Sequence, residues 1–167
     1  MGVMLTADMR AVIQAAHLCF AATVSPDGMP NVSPKGTIGV WDDQQLFFLD
    51  LASPGTRANL QTRPWMELNV VEQLSRRGYR FFGPATLHVG DAIFEEAKRR
   101  TQGQERPSPA AAVVLLAIER AAPLVSPGYW RVPDERAMRA LWRERRAVLD
   151  QEFETYLAQV EPFRVAR

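Results

Sequence analysis

Three strand-like segments joined by short turn signals constrain the fold of this chain more than any other feature. Residues 17–25, "HLCFAATVS", and residues 45–51, "QLFFLDL", are apolar and carry aromatic side chains, and residues 31–40 lie between them. The connections contain "PDG" and "WDDQ", which are too short for the crossover that two parallel strands require. We therefore predict an antiparallel meander.

Further strands and helices follow along the chain. Strands are predicted at residues 65–72 and 79–89, and Gly83-Pro84 in the second of these indicates a bulge or an edge. Residues 110–125 fit either a buried strand or a helix, and their β-branched content favours the strand. Helices are predicted at residues 6–16, 53–64, 91–102 and about 134–160. Five or six short strands with few helices are typical of a small closed β-barrel in a single domain, residues 1–167.

Composition narrows the class of protein. The chain has 167 residues and a formal charge of +1, which gives no reason to expect nucleic acid or an anionic membrane as a partner. The single cysteine, Cys19, excludes an internal disulfide framework and fits a reducing compartment. The N-terminus lacks the pattern of a signal peptide, and no apolar run is long enough to span a bilayer. We expect a cytoplasmic protein.

The segment 31–40 has two chemically different faces, because alternate side chains of a strand point the same way. One face is apolar, and we predict that it lines the barrel interior: Val32, Pro34, Gly36, Ile38 and Val40. The other face is polar and carries a cation: Asn31, Ser33, Lys35, Thr37 and Gly39. This polar face is either an ordinary solvated strand face or a ligand-binding site, and both interpretations stay open at this point.

The helix predicted at residue 53 begins just beyond a strand. Ser53 is expected to cap it, and Pro54 suits its first position. The free N–H groups of such a start favour an anion, and Thr56 and Arg57 could add a hydroxyl and a guanidinium donor to a phosphate. The alternative is a capped surface helix with Arg57 in solvent. Together with the Lys35 face, this start suggests a site for a planar ligand that carries a phosphate.

The order of these segments resembles that of the FMN-binding split-barrel proteins related to pyridoxamine 5'-phosphate oxidase. The likeness covers residues 15–90 and rests on three parts: "G-x-P-x-V-S-P-K-G", the "L-F-F-x-D" strand leading into "S-P-x-T-R-x-N-L", and the closing "G-x-A". It implies a mainly β (α+β) fold, a six-stranded antiparallel split β-barrel with peripheral helices. It also implies a homodimer with two FMN molecules at the subunit interface.

The same resemblance suggests which residues hold the cofactor. Along the isoalloxazine ring and the ribityl chain it places Ser33, Lys35, Gly36 and Thr37. For the phosphate it implies Ser53, Thr56 and Arg57. As candidates to reach a flavin, either that of the same chain or that of the partner subunit, it gives Arg76, Arg77 and Tyr79. It points to no metal site, and no residue is assigned a catalytic role.

Two departures argue against oxidation of pyridoxamine phosphate itself. The vitamin-B6 oxidases carry adjacent basic residues at the phosphate loop, where this chain has Thr56 before a single Arg57. They also end in a basic segment that helps to hold substrate, and this chain does not. The resemblance therefore implies a more general FMN-dependent oxidoreductase acting on a small molecule, with NAD(P)H as a candidate electron donor.

Two alternatives remain on the same scaffold. One is a binding protein without turnover, which would carry flavin, the deazaflavin F420 or haem. The other is a structural dimer with a degenerate pocket. In all three cases we expect the apolar segments "FFLDL" and "YRFFG" to supply more strand surface than one core requires, and part of it to contact a partner.

Overall fold

The computed structural model describes residues 2–101, 110–132 and 134–160. Contacts divide the chain into two compact units, one of Met1–Glu72 and Arg77–Val125 and the other of Gln73–Arg76 and Ser126–Arg167. The turn-rich segment "GQERPSPA" (103–110), which we predict to be a loop, lies outside the described residues except for Ala110. The single-domain prediction for residues 1–167 stays a prediction.

The larger unit contains eight strands and three helices within the described residues. In chain order these are α1 (Ala7–Ala16), β1 (Cys19–Val24), β2 (Pro30–Lys35), β3 (Gly39–Val40), β4 (Gln45–Asp50), α2 (Pro54–Thr62), β5 (Trp65–Glu72), β6 (Arg77–His88), α3 (Ala92–Thr101), β7 (Ala112–Ala117) and β8 (Arg120–Val125). The smaller unit has a 3₁₀ turn at Pro127–Trp130 and the long helix α4 (Glu135–Leu157). No helix in the described ranges is both long and apolar enough to cross a membrane.

The strands of the described residues all pair antiparallel. Their order is β2-β1-β5-β6-β7-β4-β3, and β8 pairs with β6. The predicted three-strand meander is only partly formed, because β1 pairs with β2 and β3 pairs with β4, whereas β2 and β3 lie at opposite ends of the strand order. The sheet curls into a half-barrel that is consistent with the split-barrel prediction.

Six strands are predicted from the sequence, whereas eight are present in the described ranges. Residues 110–125 form strands, as favoured, but they turn back at Ile118 and Glu119 to give two. Residues 31–40 also divide. There the Thr37 hydroxyl donates to the Leu49 carbonyl oxygen (3.0 Å) and accepts from the Leu49 amide (2.9 Å), so a side chain replaces the ladder of backbone bonds.

Gly83-Pro84 lies where β6 changes partner on one edge. Residues 77–82 of β6 pair with β8, and residues 85–88 pair with β7. The pairing with β5 on the other edge runs through both residues without a bulge. A Cβ atom on Gly83 would lie 1.8 Å from the carbonyl oxygen of Ala117, so only glycine allows the two backbones to approach this closely.

Strand β4 is buried on both faces. Leu46 and Phe48 belong to the core inside the half-barrel, and Phe47 and Leu49 belong to a second core with Ala97 of α3. Helix α3 thus covers the outer face of this strand within the chain. The contact of part of the "FFLDL" and "YRFFG" surface with a partner stays a prediction.

We expect Gly83→Ala to lower the free energy of unfolding by about 1–3 kcal/mol, because its methyl group must displace a backbone carbonyl. Urea denaturation of both proteins measures the difference. Gly55→Ala is the matched control, since its Cβ would meet only Asn31 at 3.7 Å and alanine suits a helix. Equal stability of the two variants would contradict the close approach at Gly83.

Candidate functional site

A buried lysine defines the candidate site. Lys35, the last residue of β2, is only 4% exposed. Its Nζ donates to Ser33 Oγ at 2.5 Å and to Ser53 Oγ at 2.6 Å, and it lies 5.5 Å from the centre of the Phe48 ring. Buried ammonium groups are normally paired with a carboxylate, but within the described part of the chain the hydrogen-bond partners of this one are hydroxyls. Burial lowers the pKa of Lys35, and nearby Asp50 opposes that shift.

The polar face of β2 points inward, towards α2. Asn31 Nδ2 donates to Thr23 Oγ1 at 3.1 Å and to Thr56 Oγ1 at 3.4 Å, and Asn59 Nδ2 donates to Thr23 Oγ1 at 3.0 Å. A polar strand face thus meets a polar helix face, and each buried group finds a partner.

The prediction that the apolar face of residues 31–40 lines the barrel interior is therefore wrong for β2. Val32 is 63% exposed, and Pro34 and Gly36 are exposed as well. Alternation along a strand separates two faces, but it does not say which one a helix will cover. Here α2 covers the polar face.

Ser53 stands at the N-cap position of α2, but its side chain makes no capping hydrogen bond. Its hydroxyl instead accepts from Lys35, and its amide donates to Asp50 Oδ1 at 2.9 Å. The expected role of the Ser53 side chain as a cap is thus wrong, because the buried ammonium competes for the same oxygen. Without that cap, the first turn of α2 keeps its N–H groups for another acceptor.

Arg57 and Asp50 form an ion pair beside this helix start. Arg57 Nε lies 2.9 Å from Asp50 Oδ2, and the Asp50 side chain is fully buried. Their approach lacks hydrogen-bond geometry, so both buried atoms keep unused hydrogen-bonding capacity among the described residues. Lys35 and Arg57 carry two positive charges against one on Asp50. The cluster therefore suits an anion with several acceptor oxygens.

The structure thus brings together five of the predicted site residues. Lys35 connects to Ser53 directly and to Arg57 through Ser53 and Asp50. Of the remaining two, Ser33 accepts a hydrogen bond from Lys35, and Thr56 accepts one from Asn31. This convergence agrees with the sequence analysis, and the role of these residues in binding a cofactor stays a prediction.

Thr37 and Gly36 lie outside the Lys35 cluster. The Thr37 hydroxyl is taken up by both backbone groups of Leu49. Gly36 is exposed and lines a separate cavity of about 410 Å³ with Arg10 and His17.

Arg77 and Tyr79 are held by Asp8 of α1. The two guanidinium nitrogens of Arg77 donate to Asp8 at 2.7 and 3.0 Å, and the Tyr79 hydroxyl donates at 2.5 Å. These hydrogen bonds lower the pKa of Asp8 and raise that of Tyr79. The strand register runs from Lys35 through Cys19 and Val70 to Tyr79, so Tyr79 lies three strands away. Within one chain, the structure does not join these two residues to the Lys35 cluster.

Arg76 belongs to the smaller unit. Its guanidinium stacks 4.2 Å from the centre of the Trp142 ring, and its φ of 57° places it in the left-handed region. Its expected contact with a flavin stays a prediction.

Asp50 is the site residue that the sequence analysis missed. It is fully buried, and it orients both the Ser53 amide and Arg57. A signal was present, because an aspartate that closes the apolar strand "LFFLD" needs a specific partner if it is buried.

The comparisons with known proteins agree with this fold. Residues 5–124 match the family model described as pyridoxamine 5'-phosphate oxidase. The chain belongs to the pyridoxamine 5'-phosphate oxidase family. The match includes the whole Lys35 cluster and ends before α4.

Solved structures extend the comparison. The HupZ protein of Group A Streptococcus is 32% identical with a TM-score of 0.67, over 74% of this chain and 96% of that one. An FMN-binding protein of Syntrophomonas wolfei (17% identity, TM-score 0.61, 71% of this chain and 84% of that one) and an F420 reductase (17%, 0.56, 71% and 98%) share the fold. The comparison with curated proteins gave no match.

At pH 7 we expect the free energy of unfolding of Lys35→Met to lie within about 1 kcal/mol of the parent value, or to be higher. Burial of the ammonium costs stability, and this cost opposes the gain from its hydrogen bonds. The pKa of Lys35 is lowered in the folded state, so the folded protein releases this proton before the unfolded chain does. The parent protein should therefore gain stability relative to the variant as the pH rises from 7 towards 10.5.

Urea denaturation across this pH range measures that difference. Lys98→Met, which removes the chain's other lysine from the surface of α3, is the control and should not reproduce it. A loss of several kcal/mol at pH 7 on Lys35→Met would show instead that the ammonium stabilises the fold.

Proposed function

We propose that this protein is an FMN-binding flavoprotein and acts as an FMN-dependent oxidoreductase on a small molecule. The observation that supports this most directly is the buried ammonium of Lys35, which is bound to hydroxyls beside an uncapped helix start. A fold that keeps a cation in such a place loses stability unless a ligand of opposite charge contacts it.

The helix start suits the FMN phosphate. Ser53 and Thr56 offer hydroxyl groups, Arg57 offers a guanidinium group, and the first turn of α2 offers free N–H groups and the positive end of the helix dipole. Asp50 prevents Arg57 from turning into solvent. One arginine is present where the vitamin-B6 oxidases have two adjacent basic residues, so Arg57 is the one cationic side chain that we assign to the phosphate.

Lys35 and Ser33 are the residues that we propose to lie nearest the ring system. When bound, the isoalloxazine ring would supply the hydride and electron-transfer chemistry. The Lys35 ammonium would favour the reduced, negatively charged ring by electrostatic attraction. A negative charge at this place would also raise the pKa of Lys35, which burial lowers in the protein alone.

A homodimer is part of the proposal. Exposed apolar side chains cluster on the outer face of β1, β2 and β5, the side away from α2: Phe20, Val24, Val32 and Trp65. Contiguous exposed apolar strands favour burial against a second subunit. In such a dimer, Arg76, Arg77 and Tyr79 are candidates for contact with the FMN of the partner subunit.

The names of two solved structures with the same fold indicate different cofactors. One is an FMN-binding protein, and the other is an F420 reductase. FMN is proposed here because the Ser53 helix start suits a single terminal phosphate. The alternatives of F420 and haem, bound with or without turnover, are separated by the mass of the extracted ligand.

Freshly purified protein should be yellow, or become so with added FMN, and the extracted ligand should have the mass of FMN. NADH or NADPH should bleach the absorbance near 450 nm anaerobically if a nicotinamide is the electron donor, and an added acceptor should then restore it. A porphyrin or F420 mass would show that the cofactor is not FMN. A bound flavin that no donor reduces would contradict the proposed oxidoreductase activity.

Arg57→Gln and Lys35→Met should each raise the Kd for FMN about 10- to 100-fold, because each removes a charge-assisted contact to the anion. Quenching of FMN fluorescence measures both. Arg99→Gln and Lys98→Met remove the same residue types from the surface of α3 and should leave the Kd unchanged. Unchanged affinity in the first pair would refute the assignment of the site.

Val32→Glu should dissociate the dimer, because it places a charge in the middle of the exposed apolar face of β2. Light scattering at micromolar concentration gives the mass of both proteins. The control is Val89→Glu, since Val89 is equally exposed but lies beyond the end of β6. A parent protein that is already monomeric would contradict the proposed dimer.

A further inference from the structure

Helix α4 presents apolar side chains to solvent along most of its length. Leu141, Val148 and Leu149 are exposed, and so are Phe153 and Tyr156, which stack with ring centres 6.1 Å apart. Exposed apolar residues thus recur over four turns of one helix, and of these Leu149 also borders a cavity with Leu74 and Trp142 in the smaller unit. There, Met138 is buried, and Trp142 stacks on Arg76.

Six residues of α4 fall within an arc of about 100° and form what we call the α4 face. They are Leu141, Arg145, Val148, Leu149, Glu152 and Tyr156. Their spacing is symmetric about the point between Val148 and Leu149. Apolar residues occupy the two centre positions and the two ends, and between them lie one cation and one anion at equal distances from the centre.

This symmetry has a direct physical consequence for two copies of the helix. When two such helices pack antiparallel about that centre, Leu141 meets Tyr156 of the other copy, and Val148 meets Leu149. Arg145 then meets Glu152, which brings opposite charges together twice. In the described part of the chain, neither Arg145 nor Glu152 has a salt-bridge partner. A parallel arrangement would instead place Arg145 against Arg145 and Glu152 against Glu152.

The charges on the rest of α4 follow the same rule. Residues 135–147 contain five arginines and two glutamates, whereas residues 148–157 contain one aspartate, two glutamates and no basic residue. The first half is therefore basic and the second half acidic. Opposite halves attract when the helices run in opposite directions.

We propose that the α4 face is a self-association surface that binds α4 of a second copy of this chain in antiparallel orientation. The family match ends at residue 124, so this contact belongs to a part of the chain outside the matched family region. It does not depend on the proposed cofactor. The segment 141–156 is only about 24 Å long, so the contact adds to a larger interface and is weak by itself.

Cysteine cross-linking in the full-length protein tests the contact and its direction. Leu149→Cys should form a disulfide-linked dimer under a mild oxidant, because residue 149 lies beside the two-fold axis. Tyr156→Cys alone should not, since antiparallel packing separates the two copies of residue 156 by about 22 Å. A mixture of Leu141→Cys and Tyr156→Cys proteins should cross-link to each other.

The controls distinguish the alternatives. Ala147→Cys, on the opposite side of α4, should remain monomeric on a denaturing gel, and so should the parent protein, because Cys19 is buried and its pKa is raised to about 12. Cross-linking of Tyr156→Cys with itself would show parallel packing and overturn the proposal. The absence of cross-linking at Leu149→Cys would overturn it as well, whether or not the protein binds FMN or dimerises through its sheet.

Charge reversal tests the pairing of Arg145 with Glu152. In the Leu149→Cys protein, Arg145→Glu or Glu152→Arg alone should slow cross-linking about two- to tenfold, because each creates two like-charge contacts. The double reversal should restore the parent rate. Equal rates in all four proteins would refute the antiparallel register. All of these substitutions are at exposed positions, where we expect them to leave the fold intact.

Discussion

The burial of one ammonium group determines the arrangement of the candidate site. Lys35 enters the space between β2 and α2, and the hydroxyls of Ser33 and Ser53 turn towards it. The Ser53 hydroxyl therefore does not cap α2, and the start of this helix is left open to another acceptor. The open start of α2 and its anion-binding potential are therefore consequences of a single interaction, and a surface lysine at this position would leave an ordinary capped helix.

Membership of the pyridoxamine 5'-phosphate oxidase family explains the half-barrel, but the chemistry depends on the details of this cluster. The polar face of β2 is covered by α2, where Thr56 accepts a hydrogen bond from Asn31 of β2 and Asn59 donates one to Thr23 of β1. The apolar face is left outside. A sheet arranged in this way keeps its polar side chains within the fold and leaves its hydrophobic surface available to another molecule.

Local signals in the sequence predicted most helices and strands correctly. The predictions that failed were those on how these elements pack against one another. Strand β1, helix α2 and helix α4 lie close to their predicted positions because alternation, capping residues and prolines act over a few neighbours. The exposure of Val32 depended on which face α2 covers, and the burial of "FFLDL" depended on α3, about forty residues later. No pattern within the strand contains that information. The convergence of Lys35 with Arg57 was predicted from the family resemblance and the order of the segments, since β3 and β4 lie between their elements in the chain.

Asp50 ends β4, the strand that two hydrophobic cores enclose from opposite sides. It is therefore anchored at the most rigid place in the larger unit, and the Ser53 amide and Arg57 are tied to it. A receptor whose donors are already held in position loses little conformational entropy when a ligand arrives. If the proposed anion binds here, the burial of β4 on both faces would make its affinity depend on the scaffold, and changes in the packing of α3 would alter its residence time.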